Sequence, residues 1–190
     1  DADVPVQRMG DFAETVSDYL EQVEKLADDE RDQAETQAAL LRDRAFQLAA
    51  DPTKPSGLPT PLDRVPHVEF AALEDSVDRL ERSAKAYEEA LAKNTADLPR
   101  VRLERLQSLM LTIDQALAPA TGLPGRPWYK NLVYAPGSFT GYEAKTLPGV
   151  REAIEDRRWD DANRYAKLTA GALNIYSNQL DKATATLNGE

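Results

Sequence analysis

The sequence predicts an all-α protein, a four-helix bundle of up-down-up-down topology with a long irregular loop before the last helices. Long segments almost free of proline and glycine carry apolar residues at helical spacing, and few segments alternate as strands do. Five of the 12 prolines lie between positions 52 and 66, and five more lie with five of the nine glycines between positions 119 and 149. Because proline disrupts a helix interior, these clusters separate the helices.

The first helix is expected from about Asp11 to Ala50. Acidic residues cover the face opposite its apolar stripe, and the stripe weakens in the second half of the segment. This length and charge predict that part of the helix projects from the bundle or that it is broken near residues 28–30. The apolar stripe consists of Phe12, Val16, Tyr19, Leu20, Val23 and Leu26.

The second and last helices carry the most regular patterns, and we expect them at about Glu69 to Lys93 and Asp160 to Leu187. In both helices the intervals between successive seam residues are three or four positions, which predicts one continuous seam suited to bundle packing. The seam residues are Phe70, Leu73, Val77, Leu80, Ala84, Tyr87 and Leu91 in the second helix, and Ala162, Ala166, Thr169, Leu173, Tyr176, Leu180, Ala183 and Leu187 in the last.

Two further helices are predicted between these. Pro99 lies where a helix can begin, in its first turn, and Pro119 helps to end that helix. A short fourth helix is expected to begin near Thr146, a suitable N-cap residue, with Pro148 in its first turn and its end near Arg157. The apolar positions of the third helix are Leu106, Leu109, Met110, Ile113 and Leu117.

Composition narrows the classes of partner. The formal net charge is −10, and residues 1–50 hold 13 acidic and 5 basic side chains, which argues against nucleic acid or an anionic membrane as a partner. No stretch approaches the roughly 20 apolar residues that span a bilayer. Without cysteine, neither a disulfide framework nor a thiolate metal site can form. The first residues lack the features of a signal peptide, and we expect one domain over residues 1–190 of a longer protein.

The loop between the two halves of the predicted bundle departs from the helical pattern. Residues 122–142 are rich in turn-forming residues and contain five of the 13 aromatic residues of the chain. A loop of this length inside a compact domain is often functional. Its aromatic side chains either pin the loop onto one end of the bundle or face a partner domain, and the residues concerned are Trp128, Tyr129, Tyr134 and Phe139.

This loop resembles the C-terminal domain of the glutamate carboxypeptidase and transferrin receptor family. The resemblance is carried by residues 122–129 (GLPGRPWY), 134–137 (YAPG) and 147–153 (LPGVREA). The opening residues 2–5 (ADVP) and 11–12 (DF) are similar to the point where the family's chain leaves its protease domain and enters the helical bundle.

The resemblance implies a dimerisation domain. In the family the bundle packs against its counterpart and against a protease-like domain, which implies a homodimer partner and an upstream domain holding zinc. It also implies that Arg126, Trp128, Tyr129 and Tyr134 belong to a domain-interface loop. Gly141 and Tyr142 match the lysine–tyrosine pair that binds the terminal glutamate of a substrate in glutamate-cleaving members, so Tyr142 is a candidate substrate-binding residue. An extracytoplasmic compartment, periplasmic or secreted, is what the family suggests.

The chain itself is not expected to hold a catalytic or metal site, or to bind a cofactor. It has a single histidine, His67, whereas zinc sites take several His, Asp, Glu or Cys ligands. There is no Glu-x-x-His motif, nucleophile elbow or phosphate loop, and Ser138 has no histidine nearby in the sequence. Three acidic pairs consist of adjacent residues that do not share a helix face, namely Asp28-Asp29, Glu155-Asp156 and Asp160-Asp161.

Two alternatives to the peptidase hypothesis follow from the same residues. The domain could belong to a catalytically inactive, receptor-like protein, because any metal ligands would lie outside this chain in either case. It could also be a free-standing helical module that binds partner helices through its seams, although such stripes are more simply the buried core of a bundle.

Overall fold

The structure is a computed structural model, and it describes residues 8–49, 57–94, 98–138 and 144–189. It confirms the all-α class, whereas the up-down-up-down topology stays a prediction. The helices are α1 (Met9–Arg42), α2 (Ala45–Leu48), α3 (Ala71–Asn94), α4 (Arg100–Thr112), a 3-10 helix (Ile113–Leu117), α5 (Pro148–Glu155) and α6 (Trp159–Asn188). Two short strands, β1 (Tyr134–Pro136) and β2 (Ala144–Thr146), form an antiparallel pair.

The last helix, α6, is the centre of the packing. It contacts α3 most extensively, and it also contacts α4, the 3-10 helix and α5, while α1 packs on α3. Every residue of the seam predicted for α6 is buried. The seam predicted for the second helix is also buried except Phe70, which lies just before α3, and Leu91, and both are partly buried. The fully buried side chains of this core include Leu73, Leu80, Tyr87, Leu173, Leu180 and Leu187.

The predicted break of the first helix near residues 28–30 is wrong, because α1 continues through this acidic run. Asp28 and Asp29 lie on the exposed side of the helix, and Glu30 is partly buried. Acidic residues on such a face are compatible with a helix when cations lie one turn away. Two of these carboxylates are paired within α1: Asp29 with Lys25 at 3.0 Å, and Asp28 with Arg31. Glu30 is paired at 2.6 Å with Arg157, which lies two residues after the end of α5.

The first helix instead ends at Arg42, where the chain turns. Arg44 adopts a left-handed conformation with φ of 57°, which ends α1 and begins the single turn of α2. Ala34 is the last buried residue of α1, so the final two turns extend beyond the core. The predicted projection of this helix is therefore confirmed.

The extended segment 57–70 returns along α1 to the start of α3. Val65 and Val68 are its buried contacts. Gln37 accepts a hydrogen bond from the backbone N–H of Leu62 at 2.7 Å, and the Arg157 guanidinium donates to the carbonyl oxygen of Asp63 at 3.1 Å. These bonds hold the segment on one side of α1.

The start of α5 differs from the prediction in its capping residue. Leu147 rather than Thr146 occupies the N-cap, and it is left-handed with φ of 44° and fully buried. The Thr146 hydroxyl contacts the Arg151 guanidinium, with Nη2 at 2.7 Å, so it is not available to cap the helix. Pro148 lies at the helix start as predicted. In the part of the chain that the structure describes, no helix is both long and apolar enough to cross a bilayer.

Candidate domain-docking loop

The first half of the irregular loop, residues 118–133, is a compact turn closed by backbone hydrogen bonds. The N–H of Leu123 donates to the carbonyl oxygen of Tyr129 at 2.9 Å, and the N–H of Tyr129 donates to the carbonyl oxygen of Arg126 at 3.0 Å. Gly122 is required here because its φ is +62° and a Cβ would lie 2.2 Å from the Pro127 carbonyl oxygen.

A buried tyrosine of α6 holds the start of this turn. The Tyr165 hydroxyl donates to the carbonyl oxygen of Gly122 at 2.9 Å, and burial raises the pKa of this phenol. The Tyr165 ring also lies against Gly149 of α5, where a Cβ would come within 2.3 Å of the ring. One side chain therefore fixes the loop and α5 relative to α6.

A buried ion pair joins the loop to α5. The Arg126 guanidinium donates through Nη2 to the Glu152 carboxylate at 2.6 Å, and their side chains are only 8% and 6% exposed. The other terminal nitrogen of Arg126 donates to the carbonyl oxygen of Pro136, and the same Glu152 oxygen accepts the backbone N–H of Ser138 at 3.0 Å. The pair thus closes the loop at residues 126, 136 and 138 and fixes all three to one helix.

The apolar anchors of the loop are aliphatic. Leu123, Leu132, Val133 and Ala135 are each at most 3% exposed. The N–H of Leu132 donates to the carbonyl oxygen of the 3-10 helix residue Leu117 at 2.9 Å. These residues fix the loop to the end of the bundle, a role for which the sequence had suggested aromatic side chains.

The two strands close the second half of the loop. Tyr134 pairs with Thr146, Ala135 with Lys145 and Pro136 with Ala144. The N–H of Leu147 then donates to the carbonyl oxygen of Val133 at 2.7 Å, so the strand pair leads directly into α5. The chain therefore leaves the bundle and returns to it at adjacent positions.

The described aromatic side chains of the loop point into solvent. Trp128 is 70% exposed, Tyr134 is 58% exposed and Tyr129 is 39% exposed. The Trp128 and Tyr129 rings are tilted against each other with centroids 6.3 Å apart, and the Arg126 guanidinium carbon lies 5.4 Å from the Tyr129 ring centroid. We call Trp128, Tyr129 and Tyr134 the aromatic face. It is held from beneath by buried residues and is free to contact another surface.

Of the other candidate residues, the structure describes Ser138 and His67. Phe139, Gly141 and Tyr142 lie outside the described residues. Ser138 is exposed. His67 is exposed and lies far along the chain from the loop, 4.0 Å from the Glu69 carboxylate. Within the described ranges, no group of three His, Cys, Asp or Glu side chains could hold a metal ion.

The sequence interpretation missed Glu152. This residue lies on α5 among the buried residues Val150, Ala153 and Ile154, so it is a single acid within an otherwise apolar stripe. A buried carboxylate requires a partner, which was the available signal. The partner is Arg126, which lies in the loop and also contacts the Tyr129 ring of the aromatic face.

The fold and this loop define a helical domain of a known family. The family model of the transferrin receptor-like dimerisation domain matches residues 68–181, which run from the start of α3 into α6 and include the whole loop. Because this range is more than half of the 190 residues, the chain belongs to the transferrin receptor-like dimerisation domain family. Helix α1 lies before the matched range.

Individual relatives carry a peptidase name. The chain is 29% identical over 94 residues to a probable glutamate carboxypeptidase LAMP1 of Arabidopsis thaliana, covering 48% of the chain and 13% of that protein. It is 25% identical over 113 residues to a probable glutamate carboxypeptidase of Arthroderma benhamiae, covering 59% of the chain and 16% of that protein. The chain thus matches less than a fifth of the length of these relatives.

Proposed function

We propose that this chain is the dimerisation and structural domain of a zinc-dependent exopeptidase of the glutamate-carboxypeptidase type. In this proposal it follows a protease-like domain that holds the zinc, it pairs with the same domain of a second copy, and its loop 122–149 borders the substrate cleft of the parent protein. The observation that carries the proposal is the aromatic face, which is solvent-exposed in the isolated domain and is mounted on a firmly fixed loop.

The physical support is preorganisation. Large aromatic side chains contribute most of the binding energy at many protein interfaces, and they lose little conformational entropy when they bind. A loop that is already ordered avoids the further cost of ordering on association. Here the backbone beneath Trp128 and Tyr134 is fixed by the Arg126–Glu152 pair and by the strand pair. Such a surface supports the proposal that the loop docks onto a neighbouring domain and does more than link two helices.

The contribution to the cleft rests on Tyr142 together with its neighbour. We propose that Tyr142 donates a hydrogen bond to a substrate carboxylate and that Gly141, lacking an ammonium group, gives no strong selection for an acidic side chain. In the full-length protein, Tyr142→Phe is expected to raise KM and to leave the melting temperature almost unchanged. Unchanged steady-state kinetics would remove Tyr142 from the substrate pocket.

The docking role is tested in the full-length protein. Trp128→Ala should weaken the contact of this domain with the rest of the protein by roughly 1–3 kcal/mol, measured as faster amide hydrogen exchange over residues 122–149. In the isolated chain it should leave the melting temperature unchanged, because Trp128 is mostly exposed. Leu111→Ala is the matched control, since Leu111 is a large apolar residue that is 83% exposed and lies on α4, outside residues 122–149. Equal effects of both substitutions would contradict the proposal.

The peptidase part is tested separately. Metal analysis of the full-length protein should find bound zinc, and hydrolysis of peptides with different C-terminal residues should require it. A metal-free, inactive full-length protein would favour the receptor-like alternative and leave the docking role standing. If the natural protein began near Asp1, the peptidase proposal and the docking role would both be contradicted, because each requires a domain before this one.

A further inference from the structure

A cleft of about 460 Å³ lies between α1, the extended segment 57–70 and the start of α3. Its apolar wall includes Ala27, Val65 and Val68, which are nearly fully buried. Two carboxylates also line it, Glu24 from the middle of α1 and Glu74 from the first turn of α3. The cleft therefore lies where α1 meets α3.

The two carboxyl groups lie close enough to hydrogen-bond to each other if one of them is protonated. Ionised carboxylates only accept hydrogen bonds, so this contact requires one proton shared by the pair. Glu24 Oε1 is buried and has no hydrogen-bond partner among the described residues, and neither side chain belongs to an ion pair of those residues. No cation of the described fold therefore replaces this proton.

The surroundings favour the protonated form of Glu24. Burial, the Glu74 carboxyl, and the charges of Glu21 and Asp28 together raise the pKa of Glu24 to about 7. Glu74 lies in the first turn of α3. The remaining charged groups that line the cleft are Arg31 and Glu35 of α1 and Arg64 and His67 of the extended segment, and Arg31 is already paired with Asp28.

We propose that Glu24 and Glu74 form a proton-dependent latch that holds the middle of α1 against the start of α3 and opens the cleft when the proton leaves. With the proton bound, one carboxyl donates to the other and the helices stay in contact. Without it, two negative charges face each other across the seam and repel. The inference stands independently of the peptidase proposal, because it concerns only residues of this chain.

The sign of the pH dependence follows from linkage. In the unfolded chain Glu24 releases its proton near the ordinary glutamate pKa of 4.5, whereas in the folded protein it holds the proton to about pH 7. The folded state therefore binds more protons in this interval, and the stabilisation is lost as the pH rises through it. The latch is closed below about pH 7, where the folded protein keeps the proton on the pair, and open above it.

The decisive variant is Glu24→Gln, whose amide can donate to Glu74 at every pH and so mimics the protonated form. We expect amides of α1 around residues 20–35 in the wild type to exchange at least about threefold faster at pH 8.5 than at pH 6, after correction for intrinsic rates. The Glu24→Gln protein should show no such change. Glu14→Gln is the control, because Glu14 is an exposed acid of the same helix.

His67 needs its own control, because histidine ordinarily titrates in the same pH range. The transition should persist in His67→Asn. If the Glu24→Gln protein retains the transition, or if His67→Asn abolishes it, the proposal is overturned. Should Glu24→Gln not fold, carbon-detected NMR titration of the Glu24 carboxyl in the wild type decides instead: a midpoint near the ordinary value for glutamate would also overturn it.

Discussion

The Arg126–Glu152 pair should be the most sensitive polar contact of the described structure. Glu152→Ala leaves a guanidinium that is almost fully buried and the Ser138 N–H without their acceptor, since both donate to the same carboxylate oxygen. Removing one partner of a buried ion pair typically costs about 3–5 kcal/mol. In a domain of this size each kcal/mol lowers the melting temperature by about 2–4 °C. We therefore expect a loss of roughly 6–20 °C.

The measurements are thermal melting of Glu152→Ala, and urea denaturation of Glu152→Ala, Arg126→Met and the double variant, all in the isolated chain and followed by circular dichroism. The double variant should be less destabilised than the sum of the single variants by at least about 1.5 kcal/mol, because no unpaired charge remains in it. Asp181→Ala is the control: its ion pair with Arg79 has the ordinary length of 3.0 Å but is 36% and 48% exposed, and should contribute less than about 1 kcal/mol. Additive single effects within about 0.5 kcal/mol would refute the reasoning.

Three further predictions concern the same end of the molecule. Gly122→Ala should be more destabilising than Gly125→Ala, because both positions have positive φ but only Gly122 lies against Pro127, and urea midpoints that coincide would show that the contact relaxes without cost. Gly149→Ala should separate α5 from Tyr165 and cost about 1–3 kcal/mol, measured by the same denaturation. Light scattering of the isolated chain should show only weak dimers, because the proposed contacts to the protease-like domain are missing. A dimer that persists at nanomolar concentration would show that this domain alone suffices.

The helices could be predicted from the sequence because their apolar residues follow a regular period. α3 and α6 begin and end within two residues of the expected bounds. The continuity of α1 could not be predicted in this way, since the acidic run at residues 28–30 indicates a break when only local charge is considered. The cations that pair with it include Arg157, which is more than 120 residues away and reaches α1 only in the folded chain.

The loop was recognised from its motifs, but its internal order was not. Sequence reasoning treated the aromatic residues as one group with two possible roles, because exposure depends on the path of the backbone. That path is set by the left-handed residues Gly122 and Leu147 and by the contact of Arg126 with Glu152, which lie 26 positions apart. In the sequence, the one sign of this contact is Glu152 itself, an acid in the apolar stripe of α5 that requires a partner when buried.

The antiparallel pairing of β1 with β2 has a consequence for how this domain can vary. The strands and the buried ion pair hold the chain at Pro136 and Ala144, so these two positions stay adjacent whatever connects them. Loops closed at the base in this way tolerate changes of length and sequence at little cost. The segment between them can therefore be exchanged for that of another family member without disturbing the helices. The sequence of this segment and that of the helical core can thus change independently.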